Sequence, residues 1–177
     1  MRIIAGTNKG RGLKAPKWDG LRPTSDKLRE TLFNILAPHV MDARVLDVFA
    51  GTGAIALEAL SRGAASATCI EQDRRAAQLI EENRALCGEE NRCAIIRDAV
   101  ERALSRPVSG GPFDLIVLDP PYNYADLAGA VRSAASQRRP GAVLVLEHAS
   151  RVTPPSPEGL TVTRTVKSGD SALSFYQ

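Results

Sequence analysis

From Arg44 onward, short and almost wholly apolar runs alternate with helix-patterned segments, and this alternation limits the fold more than any other feature. "RVLDVF", "SATCIE", "CAIIR", "FDLIVL" and "AVLVLE" read as strands, with "AIALEALSRG", "RRAAQLIEENRALCG", "AVERAL" and "ADLAGAVRSAASQ" as helices between them. Strands without a polar face must be covered on both sides, which calls for a parallel sheet between helical layers. "LTVTRTV" and "SALSFYQ" close the chain with no helical pattern between them. Their linker, Ser168–Asp170, suits an antiparallel hairpin. The expectation is an α/β fold with a mostly parallel seven-stranded sheet and a C-terminal antiparallel hairpin.

Ahead of this unit, "RPTSDKLRETLFNIL" reads as a helix capped by Thr24 or Ser25, with Asp26 in its first turn. Leu28, Leu32, Ile35 and Leu36 form its buried stripe, and Pro38 is expected to end it. Residues 1–23 read as a glycine-punctuated basic arm or hairpin, and residues 24–177 as the main domain. Residues 1–29 carry eight basic side chains against two acidic ones, whereas the whole chain is only +3. A basic arm on an acidic body suggests a polyanionic partner, although a merely solvated edge reads the same way.

At 177 residues the chain is long enough for one domain with a real core. No apolar run approaches the roughly 18 residues of a membrane span, and the N-terminus lacks the apolar core of a secretory signal. A cytoplasmic protein with no membrane partner is expected. Cys69, Cys87 and Cys93 are odd in number and lack Cys-x-x-Cys spacing, and His39 and His148 stand alone. No disulfide and no metal site is expected.

In open α/β sheets, ligands bind beyond the carboxyl ends of the strands. After the first strand, Gly51-Thr52-Gly53-Ala54-Ile55-Ala56 satisfies G-x-G-x-x-G/A, and Glu71 ends the next strand, placed to hold ribose hydroxyls. This pattern suits nicotinamide and S-adenosylmethionine equally, and a packing turn is a third possibility. Asp47 tilts the choice. A carboxylate four residues before Gly51 can receive the amino group of a methionine moiety but would repel a pyrophosphate. No hydride-transfer apparatus is visible, so S-adenosylmethionine is the expected cofactor.

"IVLDPPY" puts Asp119, Pro120, Pro121 and Tyr122 at the end of the fourth strand. An exocyclic amine on a nucleobase is a poor nucleophile because its lone pair is delocalised into the ring. The Asp119 carboxylate and the Pro120 carbonyl can accept its two N–H bonds and turn the lone pair toward a methyl donor. Prolines stiffen the loop and leave its carbonyls free. Tyr122 offers a flat face for a stacked base. The plain alternative is a strand-ending turn with a surface tyrosine.

Together these segments resemble the bacterial RsmD-type family of small-subunit ribosomal RNA guanine-N2 methyltransferases. The resemblance runs through "MRIIAGTNKGRGL", "LRPTSDKLRETLFNIL", "LDVFAGTGAIALEALSRGA", "DPPY" and "ALSFY". It implies a Rossmann-like class I methyltransferase fold, S-adenosylmethionine as donor, and a guanine of 16S ribosomal RNA as acceptor, in a partly or fully assembled small subunit. It carries Asp47, Gly51, Gly53 and Glu71 to the cofactor, and Asp98 and Ala99 to the adenine amine. Asp98 could equally cap the following helix. Lys9, Arg11, Lys14 and Arg22 are the candidate RNA contacts. Trp18 is assigned to packing the arm, and the enzyme is expected to act as a monomer. Alternatives are an adenine-N6 methyltransferase on DNA or RNA, a non-catalytic RNA-binding assembly factor, and a nicotinamide oxidoreductase. Lys167-Ser168-Gly169 departs from the family pattern, in which an aromatic residue is expected beside the glycine.

Overall fold

Alternating side-chain direction along each strand explains how the sheet is covered. In the computed structural model, which describes residues 1–20 and 24–177, β1 is Arg44–Asp47, β2 Ser66–Ile70, β3 Cys93–Ile96, β4 Phe113–Leu118, β5 Arg138–Ala149, β6 Val162–Ser168 and β7 Ser171–Tyr176. Val45, Leu115, Val117, Val143, Val145, Leu173 and Phe175 enter one apolar core. Their sequence neighbours Leu46, Ile116, Leu118, Leu144, Leu146 and Tyr176 enter the other. Every second residue goes to the opposite layer, as a pleated strand requires.

The first core lies under α1 (Asp26–Val40), α2 (Ala54–Ser61) and part of α3 (Arg74–Cys87). The second lies under α4 (Val100–Leu104) and α5 (Leu127–Ala135). Strand order is β3-β2-β1-β4-β5-β7-β6, parallel from β3 to β5, with β7 antiparallel to both β5 and β6. The chain moves outward from β1 and then returns to β4 on the other side of β1. The two strand ends at this reversal form the expected ligand crevice.

Two local outcomes differ from the sequence reading. Pro38 does not end α1, which continues to Val40. The proline ring forfeits one backbone hydrogen bond near the end of the helix, while Val40 is 2% exposed in the core and holds the last turn. Second, β5 extends well beyond "AVLVLE", from Arg138 to Ala149, because it pairs with β4 on one side and β7 on the other.

The N-terminal segment is packed into the first core. An antiparallel bridge joins Arg2 to Gly12, and Ile3 and Leu13 are buried. Arg29, fully buried on α1, donates to the Arg2 carbonyl (2.8 Å) and to Asp26 (2.6 Å). Glu58 on α2, also buried, accepts the N–H groups of Ile4 (2.8 Å) and Ala5 (3.0 Å) and the Arg62 guanidinium (2.7 Å). Burying charge this deep requires partners: both Glu58 oxygens have them, while Arg29, whose Nε and Nη1 make no hydrogen bond, also has the Glu58 carboxylate 3.8 Å from Nη1. Here they tie the hairpin to two helices. Among the described residues, no helix is long and apolar enough to cross a membrane.

Candidate active site

A cavity of about 490 Å³ opens at the strand reversal, within the range of small-molecule and cofactor sites. Its walls include Phe49 and Gly51 after β1, Glu71 after β2, Val100 and Glu101 on α4, and Asp119 to Tyr122 after β4. The glycine turn and the Asp-Pro-Pro-Tyr loop therefore share one space, although nearly seventy positions separate them in the chain.

The turn itself requires its glycines. Gly51 and Gly53 have φ of +54° and +75°, and Gly53 precedes α2 directly. A Cβ on Gly53 would stand 3.0 Å from Ile80 Cγ2. Asn83 on α3 braces the turn: its amide donates to the Thr52 carbonyl at 2.9 Å while its Oδ1 accepts the Lys14 N–H at 2.7 Å. Glu71 supports it from the other side, accepting the N–H of Gly51 and of Asp73, each at 2.8 Å. Burial raises the Glu71 pKa against the pull of these two N–H groups.

Asp47 lies beneath the turn, 1% exposed, and does not reach the cavity wall. Its Oδ2 accepts the Ala56 N–H at 3.3 Å, and its Oδ1 is buried without a partner. Burial pushes its pKa up to about 7, opposed by the Ala56 N–H. Asp98 and Ala99 occupy an adjoining groove with Arg74, Arg97 and Arg102, which shares only Gln72 with the cavity. Asp98 accepts the Ala99 N–H (2.8 Å) and the Arg102 guanidinium (2.7 Å), and the guanidinium holds its pKa below the usual value.

The Asp-Pro-Pro-Tyr loop is held by groups the sequence reading did not pair with it. The Thr24 hydroxyl, just ahead of α1, donates to Asp119 Oδ2. Glu147 on β5 is 4% exposed, and its Oε1 accepts the Tyr122 hydroxyl at 3.0 Å. That hydroxyl is also 2.8 Å from Ser171 Oγ at the start of β7. Burial, and next the Glu147 charge, raise the Asp119 pKa well above the usual value. Tyr122 is 55% exposed and lines the cavity. Phe49 and Tyr124 meet edge to face at 4.9 Å on the cavity's apolar side.

The basic hairpin lies along α3. Asn8 bonds Glu89 (3.1 Å), Lys14 bonds Glu82 (2.8 Å), and Arg75 stacks over Trp18 at 4.9 Å. At about 1.5 Å per helical residue, the hairpin tip with Lys9 and Arg11 stands roughly 20 Å below the cavity mouth. Both side chains are exposed. Lys14 is engaged by Glu82, and Arg22 falls outside the described residues. Trp18 does pack the segment onto α3, and it also lines the cavity.

The group implied by this architecture is S-adenosylmethionine, and the residues fit it. The volume suffices, Glu71 stands at the end of β2, apolar Val48, Ile70 and Val100 form a slot, and the glycine turn brings bare backbone to the wall. Asp47 Oδ1 supplies an unused buried acceptor under that turn.

A mostly parallel seven-stranded sheet with this crevice is the Rossmann-like fold of class I methyltransferases. The rRNA methyltransferase aviRa of Streptomyces viridochromogenes shares it at 18% identity, with a TM-score of 0.71 over 92% of this chain and 87% of that one. The chain belongs to the RsmD-type family: the family described as "Conserved hypothetical protein 95" matches residues 1–177. It is 46% identical over 122 residues to "Ribosomal RNA small subunit methyltransferase D" of Escherichia coli (strain K12), covering 69% of this chain and spanning 60% of that relative's length. The protein of the same name from Haemophilus influenzae is 33% identical, over 100% of this chain and 93% of the relative. The solved structure of yhhF from Escherichia coli superposes with a TM-score of 0.86 at 36% identity, over 100% of this chain and 97% of that one.

Proposed function

We propose that this protein transfers a methyl group from S-adenosylmethionine to the exocyclic N2 amine of a guanine in 16S ribosomal RNA, presented in the small-subunit particle. The observation that carries the reading is the shared cavity of the glycine turn and the Asp119–Tyr122 loop. The names of the family's relatives support the ribosomal substrate. Work on ribosomal particles implies a cytoplasmic location.

When bound, the cofactor supplies an electrophilic methyl group on a cationic sulfonium. The chain's own residues do the rest. Glu71 holds ribose hydroxyls, and the turn from Gly51 to Gly53 lets the ligand approach the backbone. Asp47, set back from the cavity wall, offers its free oxygen to the methionine ammonium through water. Asp98 and Ala99 bound the adenine end from the adjoining groove. On the substrate side, Tyr122 stacks on the extracted base. Asp119 and the Pro120 carbonyl take the amine's two N–H bonds, and the rigid Pro120–Pro121 step fixes their direction. Thr24 holds Asp119 in place from the opposite side. Lys9, Arg11 and Arg22 carry RNA phosphates, with Lys14 a contributor once it leaves Glu82. Orientation, with no metal and no covalent intermediate, supplies most of the rate, and a monomer contains all of these parts.

Asp119→Ala tests the reading. Cofactor affinity should remain while transfer falls by two orders of magnitude or more, the rough worth of a well-positioned catalytic group. Loss of both together would contradict the assignment of Asp119 to the substrate.

A further inference from the structure

Asp119, the first residue after β4, and Glu147, on β5, lie in register. Leu118 pairs with Leu146, so the next residues are neighbours across a parallel ladder. Adjacent strands lie about 4.8 Å apart. Both side chains belong to the face that carries Val117 and Val145, toward α1, and both line the cavity. Glu147 Oε2 is buried and accepts from no N–H or hydroxyl, its other oxygen is tied to Tyr122, and its carboxyl is within hydrogen-bond reach of Asp119. Beyond Tyr122, Ser171 opens toward the mouth. A continuous set of polar groups thus runs from the substrate end of the cavity outward: Thr24, Asp119, Glu147, Tyr122, Ser171.

We propose that Asp119 and Glu147 form a carboxyl pair sharing one proton, which accepts the proton released by the methylated amine and passes it outward through Tyr122. The proposal rests on the amine-methylation reading above. As the N–C bond forms and the bond between the methyl group and the donor's sulfur breaks, leaving its electron pair on sulfur, the amine nitrogen becomes cationic and must lose one of its hydrogens. That N–H bond breaks, its electron pair stays on nitrogen, and the proton forms an O–H bond on the ionised member of the pair. The pair passes from one proton to two, and the extra proton leaves by way of the Tyr122 and Ser171 hydroxyls.

Two carboxylates this close and this dry cannot both ionise. The facing groups reinforce that. Asp47 on β1 adds a third carboxyl that raises Asp119 further as it ionises, Thr24 contributes a neutral donor from the α1 side, and Tyr122 and Ser171 are neutral hydroxyls from the loop and β7. Asp119 is accordingly the group whose proton affinity is raised.

The test compares the wild-type protein with Glu147→Gln, which keeps an acceptor for the Tyr122 hydroxyl but removes the charge. Infrared spectra of the unliganded protein, followed against pH, should show a carboxyl group in the wild type that keeps its proton above the ordinary aspartate range. In Glu147→Gln its titration should move down by about one pH unit or more. Asp47 titrates in both proteins and cancels in the comparison. With substrate, kcat should fall roughly ten- to a hundredfold, and the acid limb of its pH profile should move to lower pH in parallel. Identical titrations, or a wild-type pair wholly ionised at neutral pH, would overturn the pair. Transfer activity whose acid limb stays in place would overturn the proton-accepting role. Absence of any transfer by the wild type would instead strike the function proposed above, leaving the infrared result to decide the pair.

Discussion

Glu71 holds the N–H of Gly51 at 2.8 Å, so the carboxylate assigned to the ribose also fixes the turn that faces the cofactor. One side chain at the end of β2 thereby lines the pocket and braces its turn.

Replacing it separates the site's two halves. Glu71→Ala should weaken S-adenosylmethionine binding by roughly ten- to a hundredfold, the loss expected for charge-assisted hydrogen bonds. Titration calorimetry measures this directly. Unchanged affinity would remove Glu71 from the cofactor site.

Asp47 should write itself into the pH dependence of stability. Its pKa rises from 3.8 to about 7 in the folded protein. The native state therefore keeps a proton that the unfolded chain has already released. The stability this confers is complete below about pH 4 and disappears as pH rises through about 7. Urea unfolding of the unliganded protein should show a decline over that window, up to about 4 kcal/mol steeper than in Asp47→Asn. Parallel curves for the two proteins would show that Asp47 is already ionised in the fold.

Gly53→Ala places a Cβ in the left-handed backbone region and within 3.0 Å of Ile80. A cost of about 1–2 kcal/mol in stability follows from the backbone alone. Cofactor binding should weaken as well, because the start of α2 must shift. Thermal unfolding with and without cofactor reads both effects.

The hairpin tip makes a distinct prediction because it is roughly 20 Å from the cavity mouth by the rise of α3. Lys9→Ala with Arg11→Ala should reduce RNA affinity and lower the salt dependence of binding by about 0.7–0.9 in slope for each phosphate no longer neutralised. Transfer at saturating RNA should be unaffected. A slope equal to the wild type would turn the hairpin away from the RNA.

Much of this architecture is legible in the residues because apolar strands, glycine turns and proline loops act locally. Gly51, Gly53 and the Asp119–Tyr122 loop announce themselves by spacing, and the seven strands by their runs. Glu147 does not. It ends an apolar strand like any polar residue, and only the β4–β5 register makes it the neighbour of Asp119. Asn83 likewise reads as one polar position on an amphipathic helix, yet it clamps Lys14 to the glycine turn. Thr24 reads as a helix-start residue, but its bond to Asp119 spans 95 positions. Pro38 misleads for a related reason: the burial of Val40 outweighs a local helix-breaking preference. Long-range packing decides each of these.

The most direct measurement is methyl transfer from labelled S-adenosylmethionine, followed by nucleoside analysis, with small subunits lacking the modification, naked 16S RNA and duplex DNA as acceptors. Label recovered as N2-methylguanosine, chiefly in subunits and absent with Asp119→Ala, is the predicted result. Label in methyladenine, or none in any acceptor despite cofactor binding, would contradict the account.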